Sequence, residues 1–239
     1  MINNKRVLAY IPARSGSKGI IDKNIADVCG KPLIAYSIES TKKSKYVDKI
    51  IVSTDSEKYA EICKRHGAEV PFIRPAELAG DQSKEIDVVL HVLDWCNQNN
   101  LDFDIIIKLQ PTSPLRLAED IDKAIEMLEN KCADAITSVS EVDVHPWWTN
   151  QLPENLSMKN FIKPEAIKNR QELPNYYQLN GVLFAAKRKH LLEKRSWFAE
   201  NSFATIIPAE RSIDIDNPIQ LELVRIMVRK NHKELENVE

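Results

Sequence analysis

Residues 7–24 carry the strongest fold signal and read Val-Leu-Ala-Tyr-Ile-Pro-Ala-Arg-Ser-Gly-Ser-Lys-Gly-Ile-Ile-Asp-Lys-Asn. The apolar run 7–11 is typical of a strand buried in a parallel sheet. The loop that follows such a strand lies at the carboxyl edge of the sheet, where open α/β folds bind their ligands. The loop at residues 12–24 is therefore a candidate binding segment.

This loop combines small residues with positive charges. Its glycines allow the backbone to approach an anion closely and its cations neutralise one; the residues are Gly16, Gly19, Arg14, Lys18 and Lys23. The spacing matches neither the Walker loop nor the Gly-x-Gly-x-x-Gly dinucleotide turn. The loop predicts a polyphosphate site of another type, and the alternative is an ordinary solvated basic turn.

Short apolar runs alternate with amphipathic segments along the chain. The pattern predicts strands at residues 7–11, 49–53, 69–73, 105–109, 135–139, 180–187 and 205–207, and helices at 32–43, 56–66, 85–97, 118–130 and 218–229. Strands that alternate with helices of this length indicate an α/β fold with a parallel sheet covered on both faces.

The alternation stops between residues 143 and 178. This segment holds several prolines and the adjacent Trp147 and Trp148, without a helical or strand period. We interpret it as an inserted arm or subdomain. Residues 1–142 and 179–239 then form one nucleotide-binding α/β domain.

Composition excludes several classes of protein. The chain has 239 residues, of which 43% are hydrophobic and 28% charged, and this fits one globular domain with a substantial core. A net charge of −2 argues against nucleic acid or an anionic membrane as partner. There is no apolar run of ~20 residues, no secretory signal and no Cys-x-x-Cys pair. We expect a cytoplasmic protein.

The segment Asp214-Ile215-Asp216 is a candidate metal site. In an extended segment alternate side chains share a face, so both carboxylates point the same way. Two convergent carboxylates suit Mg²⁺ that also bridges phosphate oxygens. The alternative is an acidic turn in which Asp216 caps the following helix.

Polar segments also lie near later strands. The loops at residues 110–116 and 74–83 follow two predicted strands, so they lie at the same sheet edge. The first offers hydrogen bonds suited to sugar hydroxyls or an amide, and the second offers polar contacts to a base. The alternative for both loops is an ordinary connection between a strand and a helix, without a binding role. Asn180-Gly181 fits a turn, and the aromatic Phe184 fits either the core or a wall that stacks on a sugar.

The ordered set of motifs resembles the CMP-sialic acid synthetases, the acylneuraminate cytidylyltransferase family. The matching segments cover nearly the whole chain and are residues 11–24, 30–33 (Gly-Lys-Pro-Leu), 53–55 (Ser-Thr-Asp), 74–79, 109–116 (Leu-Gln-Pro-Thr-Ser-Pro-Leu-Arg), 170–174, 180–181 and 211–216 (Arg-Ser-Ile-Asp-Ile-Asp). The resemblance implies a mostly parallel, Rossmann-like sheet of the nucleotidyltransferase type, flanked by helices and carrying an inserted dimerisation arm.

The resemblance also implies a reaction. A nine-carbon 2-keto sugar acid attacks the α-phosphate of CTP, giving the CMP-sugar and pyrophosphate, in a homodimer whose arm reaches toward the partner's sugar pocket. The implied catalytic residues are Arg14 and Lys18 on the triphosphate and Asp214 and Asp216 on Mg²⁺. The other implied contacts are Ser17, Lys23 and Asn24 at the nucleotide, Arg74 and Ser83 near the cytosine, and Gln110, Arg170, Asn180 and Phe184 on the sugar side. No residue is identified as the general base.

Two departures from the family pattern concern the sugar acid. Trp147 stands where a lysine often follows His-Pro, and Gln178 stands where an arginine often precedes Asn-Gly. Both remove a cation, whereas Arg170 remains as a partner for a carboxylate. We expect a sugar with fewer hydroxyls, such as legionaminic acid, rather than N-acetylneuraminic acid. The alternatives are a nucleotidyltransferase for another acid such as Kdo, and a non-catalytic sugar-nucleotide-binding protein.

Overall fold

A computed structural model describes residues 1–236, with side chains through residue 230. The strands are β1 (Val7–Pro12), β2 (Asp27–Val28), β3 (Lys31–Pro32), β4 (Lys49–Ser53), β5 (Ile105–Leu109), β6 (Ala135–Glu141), β7 (Tyr177–Lys187) and β8 (Ser202–Ile206). The α-helices are α1 (Leu33–Lys42), α2 (Glu57–Arg65), α3 (Glu85–Gln98), α4 (Ala118–Asn130), α5 (Arg188–Lys194) and α6 (Pro218–Glu236).

Six strands form one sheet in the order β4-β1-β5-β7-β6-β8, and β2 and β3 form a separate hairpin. Five of the six strands are parallel, and β7 runs antiparallel to both β5 and β6. The mostly parallel α/β prediction is therefore confirmed. Because β7 is reversed, its first residues extend past Leu109 at the carboxyl end of β5, which pairs with Leu183. The start of β7 thus reaches the edge where β1 and β5 end.

The core lies on both faces of the sheet. Residues 7–11 of β1 are completely buried. Alternate side chains of a strand point to opposite faces, so Val7 packs in a cluster with α1, α2 and α4, whereas Leu8 packs in a second cluster with α3. A third cluster joins α6 to Ile215 and Leu115, which holds the acidic segment 214–216 near the loop after β5.

Most predicted elements are present, and one strand is wrong. Residues 69–73 form only two isolated bridges, Glu69 with Ile51 and Ile73 with Thr54. Pro71 lies between them and has no backbone N–H to donate to a ladder, which explains the interruption. β7 begins at Tyr177, inside the segment predicted as arm, and α5 was not predicted.

The arm between β6 and β7 has little regular structure. Its described residues contain three short 3-10 turns, Pro146–Trp148, Pro164–Ala166 and Arg170–Glu172. Aromatic packing orders its base, where the His145 ring lies edge-on to Tyr176 at 4.7 Å between centroids. The Trp148 indole also donates to the Ala166 carbonyl oxygen at 2.9 Å. The division into domain and arm stays a prediction.

Within the described part of the chain, no helix has both the length and the apolar character needed to cross a bilayer.

Candidate active site

A cleft of about 510 Å³ opens at the carboxyl edge of the sheet. It brings together most of the predicted site residues: Arg14, Ser17, Lys18, Lys23, Asn24, Arg74, Ser83, Gln110, Asp214 and Asp216. Asn180 and Phe184 line a second cleft of about 640 Å³, and Asp214 lines both. Arg170 lines neither of them. The two clefts adjoin at Asp214.

The basic loop and the acidic segment touch directly. A Cβ atom added to Gly19 would overlap the backbone carbonyl oxygen of Asp216, so only glycine allows this approach. The Lys23 Nζ lies 3.0 Å from an Asp216 carboxylate oxygen. Residues almost 200 positions apart therefore form one wall of the cleft.

Asp81 neutralises two cations of the loop. Its carboxylate oxygens lie 2.9 Å from Arg14 Nη1 and 2.6 Å from Lys18 Nζ. These hydrogen bonds, first from Lys18 and then from Arg14, lower the pKa of the Asp81 carboxyl group. All three side chains are at least one-third exposed. Exposed ion pairs are weak, so an incoming anion can replace Asp81 as the partner of these cations.

Partly buried hydrogen bonds fix the shape of the loop. Asn24 is buried, and its side-chain amide donates to the Arg14 carbonyl oxygen at 2.9 Å. Ser15 donates to the Asp55 carboxylate through its backbone N–H at 2.8 Å and its hydroxyl at 2.7 Å. Asn24 thus supports the backbone of Arg14 as well as lining the cleft.

Arg74 and Ser83 lie in the wall predicted to be near the base. Arg74 is buried and donates to the Ser53 hydroxyl at 2.9 Å and to the Ser53 carbonyl oxygen. Burial lowers the pKa of its guanidinium group. The Ser83 hydroxyl donates to the Glu77 carbonyl oxygen at 2.7 Å. Both side chains are thus already engaged with protein groups.

Asp214 and Asp216 both face the cleft, with Ile215 buried behind them. The Ile215 N–H donates to the Thr112 carbonyl oxygen at 2.9 Å, which ties the acidic segment to the loop after β5. The cap of α6 is Asn217, whose side-chain oxygen accepts from the Gln220 N–H at 3.0 Å. The alternative in which Asp216 caps the helix is therefore wrong.

Asp214 has the properties of an incomplete ligand site. Burial raises the pKa of its carboxyl group, and its Oδ1 is buried with no hydrogen-bond partner among the described residues. Hard carboxylate oxygens suit Mg²⁺. Among the described residues no group of three or more His, Cys, Asp or Glu side chains could hold a metal ion. The acidic pair therefore fits Mg²⁺ that keeps waters and takes further oxygens from a ligand.

The second cleft contains Asn180 and Phe184. The Asn180 amide is fixed on both sides, since its oxygen accepts from Ser138 Oγ at 2.6 Å and its nitrogen donates to Ser212 Oγ at 3.0 Å. Phe184 is 9% exposed and packs near Trp197, so it belongs to both the core and the cleft wall.

The position of the Gln110 side chain depends on the glycine at residue 181, in the adjacent strand β7. Gly181 has a φ of +71°, and a Cβ added there would lie 3.2 Å from the Gln110 amide nitrogen. Glycine at this position therefore lets the Gln110 side chain lie against β7.

Arg170 lies on the arm. One of its nitrogens donates to the Val142 carbonyl oxygen at 3.0 Å. It contributes to a small recess with His145 and Tyr176 rather than to either large cleft of its own chain. The structure thus does not bring Arg170 together with the other predicted sugar contacts.

Sequence reasoning missed three charged residues of the cleft: Asp81, Glu85 and Lys108. Asp81 was seen only as part of a polar loop, and its partners are distant in sequence. Lys108 lay inside the run 105–109, interpreted as an apolar strand, yet it is buried and lines the cleft. A lysine within an otherwise apolar buried strand was the available signal, because an unpaired charge is rarely buried.

We predict that Asp81→Asn strengthens the binding of inorganic tripolyphosphate. The substitution removes the carboxylate that occupies Arg14 and Lys18, so the dissociation constant should fall about two- to tenfold. Isothermal titration calorimetry at fixed ionic strength measures it.

Asp22→Asn is the matched control, since it changes the net charge equally but Asp22 pairs with Lys58 at 2.8 Å outside the cleft. Equal or weaker binding to Asp81→Asn than to the unmodified chain would show that Asp81 does not compete with the anion.

Comparison with known proteins agrees with this geometry. A family model described as cytidylyltransferase matches residues 8–228. The CMP-N,N'-diacetyllegionaminic acid synthase of Legionella pneumophila is 36% identical over 96% of this chain and 99% of its own. The N-acylneuraminate cytidylyltransferase of Escherichia coli O18:K1:H7 is 33% identical over 97% of this chain, which spans 54% of that protein.

The fold also resembles that of a solved structure. A solved structure of CMP:2-keto-3-deoxy-manno-octonic acid synthetase complexed with CTP superposes with a TM-score of 0.70, at 19% identity over 95% of this chain and 99% of that one. That likeness concerns the fold alone, whereas the sequence matches cover nearly all of the chain. The chain belongs to the cytidylyltransferase family.

Proposed function

We propose that this chain transfers a cytidylyl group from CTP to a nine-carbon 2-keto sugar acid. The observation that carries the proposal is the joint lining of one cleft by Arg14, Lys18, Asp214 and Asp216. Cations and a carboxylate pair together suit a triphosphate and a metal ion, whereas a protein that only binds a sugar nucleotide has no need of the pair. The relatives named above are enzymes of this class.

The reaction is a displacement at phosphorus. The anomeric hydroxyl of the sugar acid loses its proton to solvent, and its oxygen forms a bond to the α-phosphorus of CTP. The bond from that phosphorus to the bridging oxygen breaks, releasing pyrophosphate. Such transfers depend mainly on positioning and on neutralising phosphate charge. Arg14 and Lys18 exchange the Asp81 carboxylate for phosphate oxygens, and Lys23 adds charge beside them.

Asp214 and Asp216 would hold Mg²⁺, which when bound neutralises charge on the triphosphate. The buried, unpartnered Oδ1 of Asp214 supports this assignment. Asp214 also lines the second cleft, so the same carboxylate lies beside both substrates.

The second cleft is the proposed site of the sugar acid. Asn180 offers an amide group to hydroxyl or acylamino substituents, and Phe184 offers an apolar wall. Gln110 lines the first cleft beside Gly181 of the second, so its amide offers a further contact where the two clefts adjoin. We propose a legionaminic acid type of substrate, because Trp147 and Gln178 stand where the family pattern often has cations. The identity of 36% to the Legionella pneumophila synthase, over 96% of this chain and 99% of that one, also supports this substrate class.

The arm supports a homodimer. Several of its large apolar side chains face solvent in the single chain: Leu152, Leu156, Met158 and Ile167 are each more than half exposed. Exposed apolar groups of this kind are typical of an interaction surface. Arg170 lies outside both clefts of its own chain, and the dimer gives it the partner's sugar acid carboxylate to bind.

A cytoplasmic location fits these substrates. CTP is an intracellular nucleotide, and the four cysteines are unpaired, as in a reducing compartment.

We predict pyrophosphate release when the protein is given CTP, Mg²⁺ and a nine-carbon acid. A panel of legionaminic, N-acetylneuraminic and eight-carbon Kdo acids should show the highest kcat/KM for the legionaminic type. Asp214→Asn should lower the rate at least about a hundredfold, because it removes a metal ligand. No release with any acid would favour a binding protein, and equal or better use of N-acetylneuraminate would refute the legionaminic assignment.

We predict that Arg170→Ala and Asp214→Asn complement each other in a mixed dimer. Each variant alone should be poorly active at limiting sugar acid. If the arm acts on the partner, a mixed dimer contains one intact site, so a random equimolar mixture regains about a quarter of full activity. Co-expression with two affinity tags isolates the mixed dimer. A purified mixed dimer without regained activity would contradict action across the interface.

We predict that Gly19→Ala lowers kcat/KM by about tenfold or more. The added Cβ pushes the basic loop from Asp216, and small displacements of positioning groups have large effects on rate. Gly16→Ala in the same loop is the control, since a Cβ there meets no atom within 4 Å. Equal rates for the two variants would mean that the close approach is unimportant.

A further inference from the structure

Arg116 is a charged side chain inside the core of the protein. It is only 2% exposed, and it lines neither of the two clefts. The carboxylate of Asp120 acts on its charge, but the oxygens of that carboxylate accept hydrogen bonds from the Arg211 guanidinium at 2.6 Å and from the Leu117 N–H at 2.9 Å. Arg116 therefore has no ion pair among the described residues.

The hydrogen bonds of Arg116 go to two backbone carbonyl groups. Its Nη1 donates to the Val182 carbonyl oxygen at 2.8 Å and to the Gln110 carbonyl oxygen at 3.3 Å. Its Nε and Nη2 have no hydrogen-bond partner among the described residues. Burial lowers the pKa of the guanidinium group to about 9, so the group stays charged at neutral pH. A buried charge is often less stable than a well-packed apolar side chain, so packing alone does not explain an arginine here.

The two carbonyl groups lie where strands β5 and β7 stop pairing. The antiparallel ladder between these strands ends with Leu109 opposite Leu183. The next residues along the two strands are Gln110 and Val182, which form no ladder pair. Arg116 bonds to both of them. Its guanidinium group therefore extends the connection between the two strands beyond the last backbone pair.

These strand ends also mark the boundary between the clefts. Gln110 lines the first cleft, and Asn180 and Gly181 line the second. The Val182 N–H donates to the Asn180 side-chain oxygen at 3.2 Å, so Val182 also supports an amide group of the second cleft. A Cβ atom added to Gly181 would lie 3.2 Å from the Gln110 amide nitrogen, so the strands are in close contact here. Arg116 thus joins a residue of one cleft to the strand that lines the other.

If the proposed function is right, the spacing between the clefts sets the distance between the reacting groups. The triphosphate binds in the first cleft and the sugar acid in the second, and the new bond joins the anomeric oxygen to the α-phosphorus. A displacement of about 1 Å between such groups lowers a rate about a hundredfold. Binding depends less on this spacing, because each cleft holds its own substrate through its own lining.

We propose that Arg116 is a positioning residue, which fixes the spacing of the two clefts by bonding to the Gln110 and Val182 carbonyl groups. It touches neither substrate and acts through these backbone groups. This inference rests on the proposed function and adds to it a residue that lies outside both clefts.

Arg116→Met and Arg116→Lys are the matched variants of the test. Methionine fills the position without a donor, whereas the lysine ammonium carries three donors and can replace the single nitrogen that now makes both bonds. In Arg116→Met the kcat for pyrophosphate release should fall about tenfold or more, while the dissociation constant of CTP and the KM of the sugar acid each change less than about threefold. The kcat of Arg116→Lys should exceed that of Arg116→Met at least about threefold.

Leu128→Ala controls for lost stability. Leu128 is a fully buried residue of α4 that lines neither cleft, so its truncation destabilises the fold without changing the boundary between the clefts. Rates are expressed per bound CTP, which counts only folded protein. The proposal is overturned if Arg116→Met keeps its kcat, if Leu128→Ala loses as much, or if the methionine and lysine variants have equal rates. A change confined to KM or to CTP binding also overturns it.

Hydrogen exchange tests the connection between the strands without a sugar acid. Peptides that cover residues 110–116 and 178–184 should exchange faster in Arg116→Met than in Arg116→Lys, because the strand ends open locally when the bonds are lost. Unchanged exchange in both peptides would refute the connection. If the unmodified chain releases no pyrophosphate with any acid, the proposed function is wrong and the positioning role falls with it. An active enzyme whose kcat does not respond to Arg116→Met refutes the role of Arg116 alone.

Discussion

The close approach of Gly19 to the Asp216 carbonyl is the constraint on which the rest of the site depends. It joins the loop after the first strand to a segment near the other end of the chain, and α6 packs behind Ile215 to hold that segment in place. Without this contact the basic loop and the acidic pair would be separate features of the surface. With it they line one cleft, so the cations of the loop and the two carboxylates face the same space.

Cations and carboxylates lie close together in this cleft. Four of the five cations that line it have a carboxylate partner within 3.0 Å: Arg14 and Lys18 share Asp81, Lys23 has Asp216, and Lys108 has Glu85. The pairs differ in exposure, and this separates their roles. Lys18 is 78% exposed and can exchange its partner for phosphate, whereas Lys108 is 4% exposed and keeps its own. Exchangeable and permanent ion pairs thus coexist in one cavity.

The sequence predicted those parts of the site that are local in the chain. Strands such as 105–109 were predicted correctly because a short apolar run between polar loops usually forms a buried strand. The loop at 12–24 was recognised because its glycines and cations are adjacent in the chain. Asp81 was missed because its partners lie 67 and 63 positions away, and periodicity carries no information on such pairs. The strand predicted at 69–73 was wrong because the prediction followed the apolar residues of this segment, whereas Pro71 has no N–H for a strand ladder. Arg170 matched a motif of the family pattern, but the structure places it on the arm, outside both clefts of its own chain.

The reversed strand has a consequence for how such proteins diversify. Because β6 and β7 are antiparallel neighbours, the arm leaves and re-enters the sheet at adjacent points, with Glu141 opposite Tyr177 and the Val142 N–H bonded to the Tyr176 carbonyl oxygen at 3.0 Å. Insertions or deletions between those points leave the sheet register unchanged. The sheet and the first cleft can therefore stay constant while the length and sequence of the arm change.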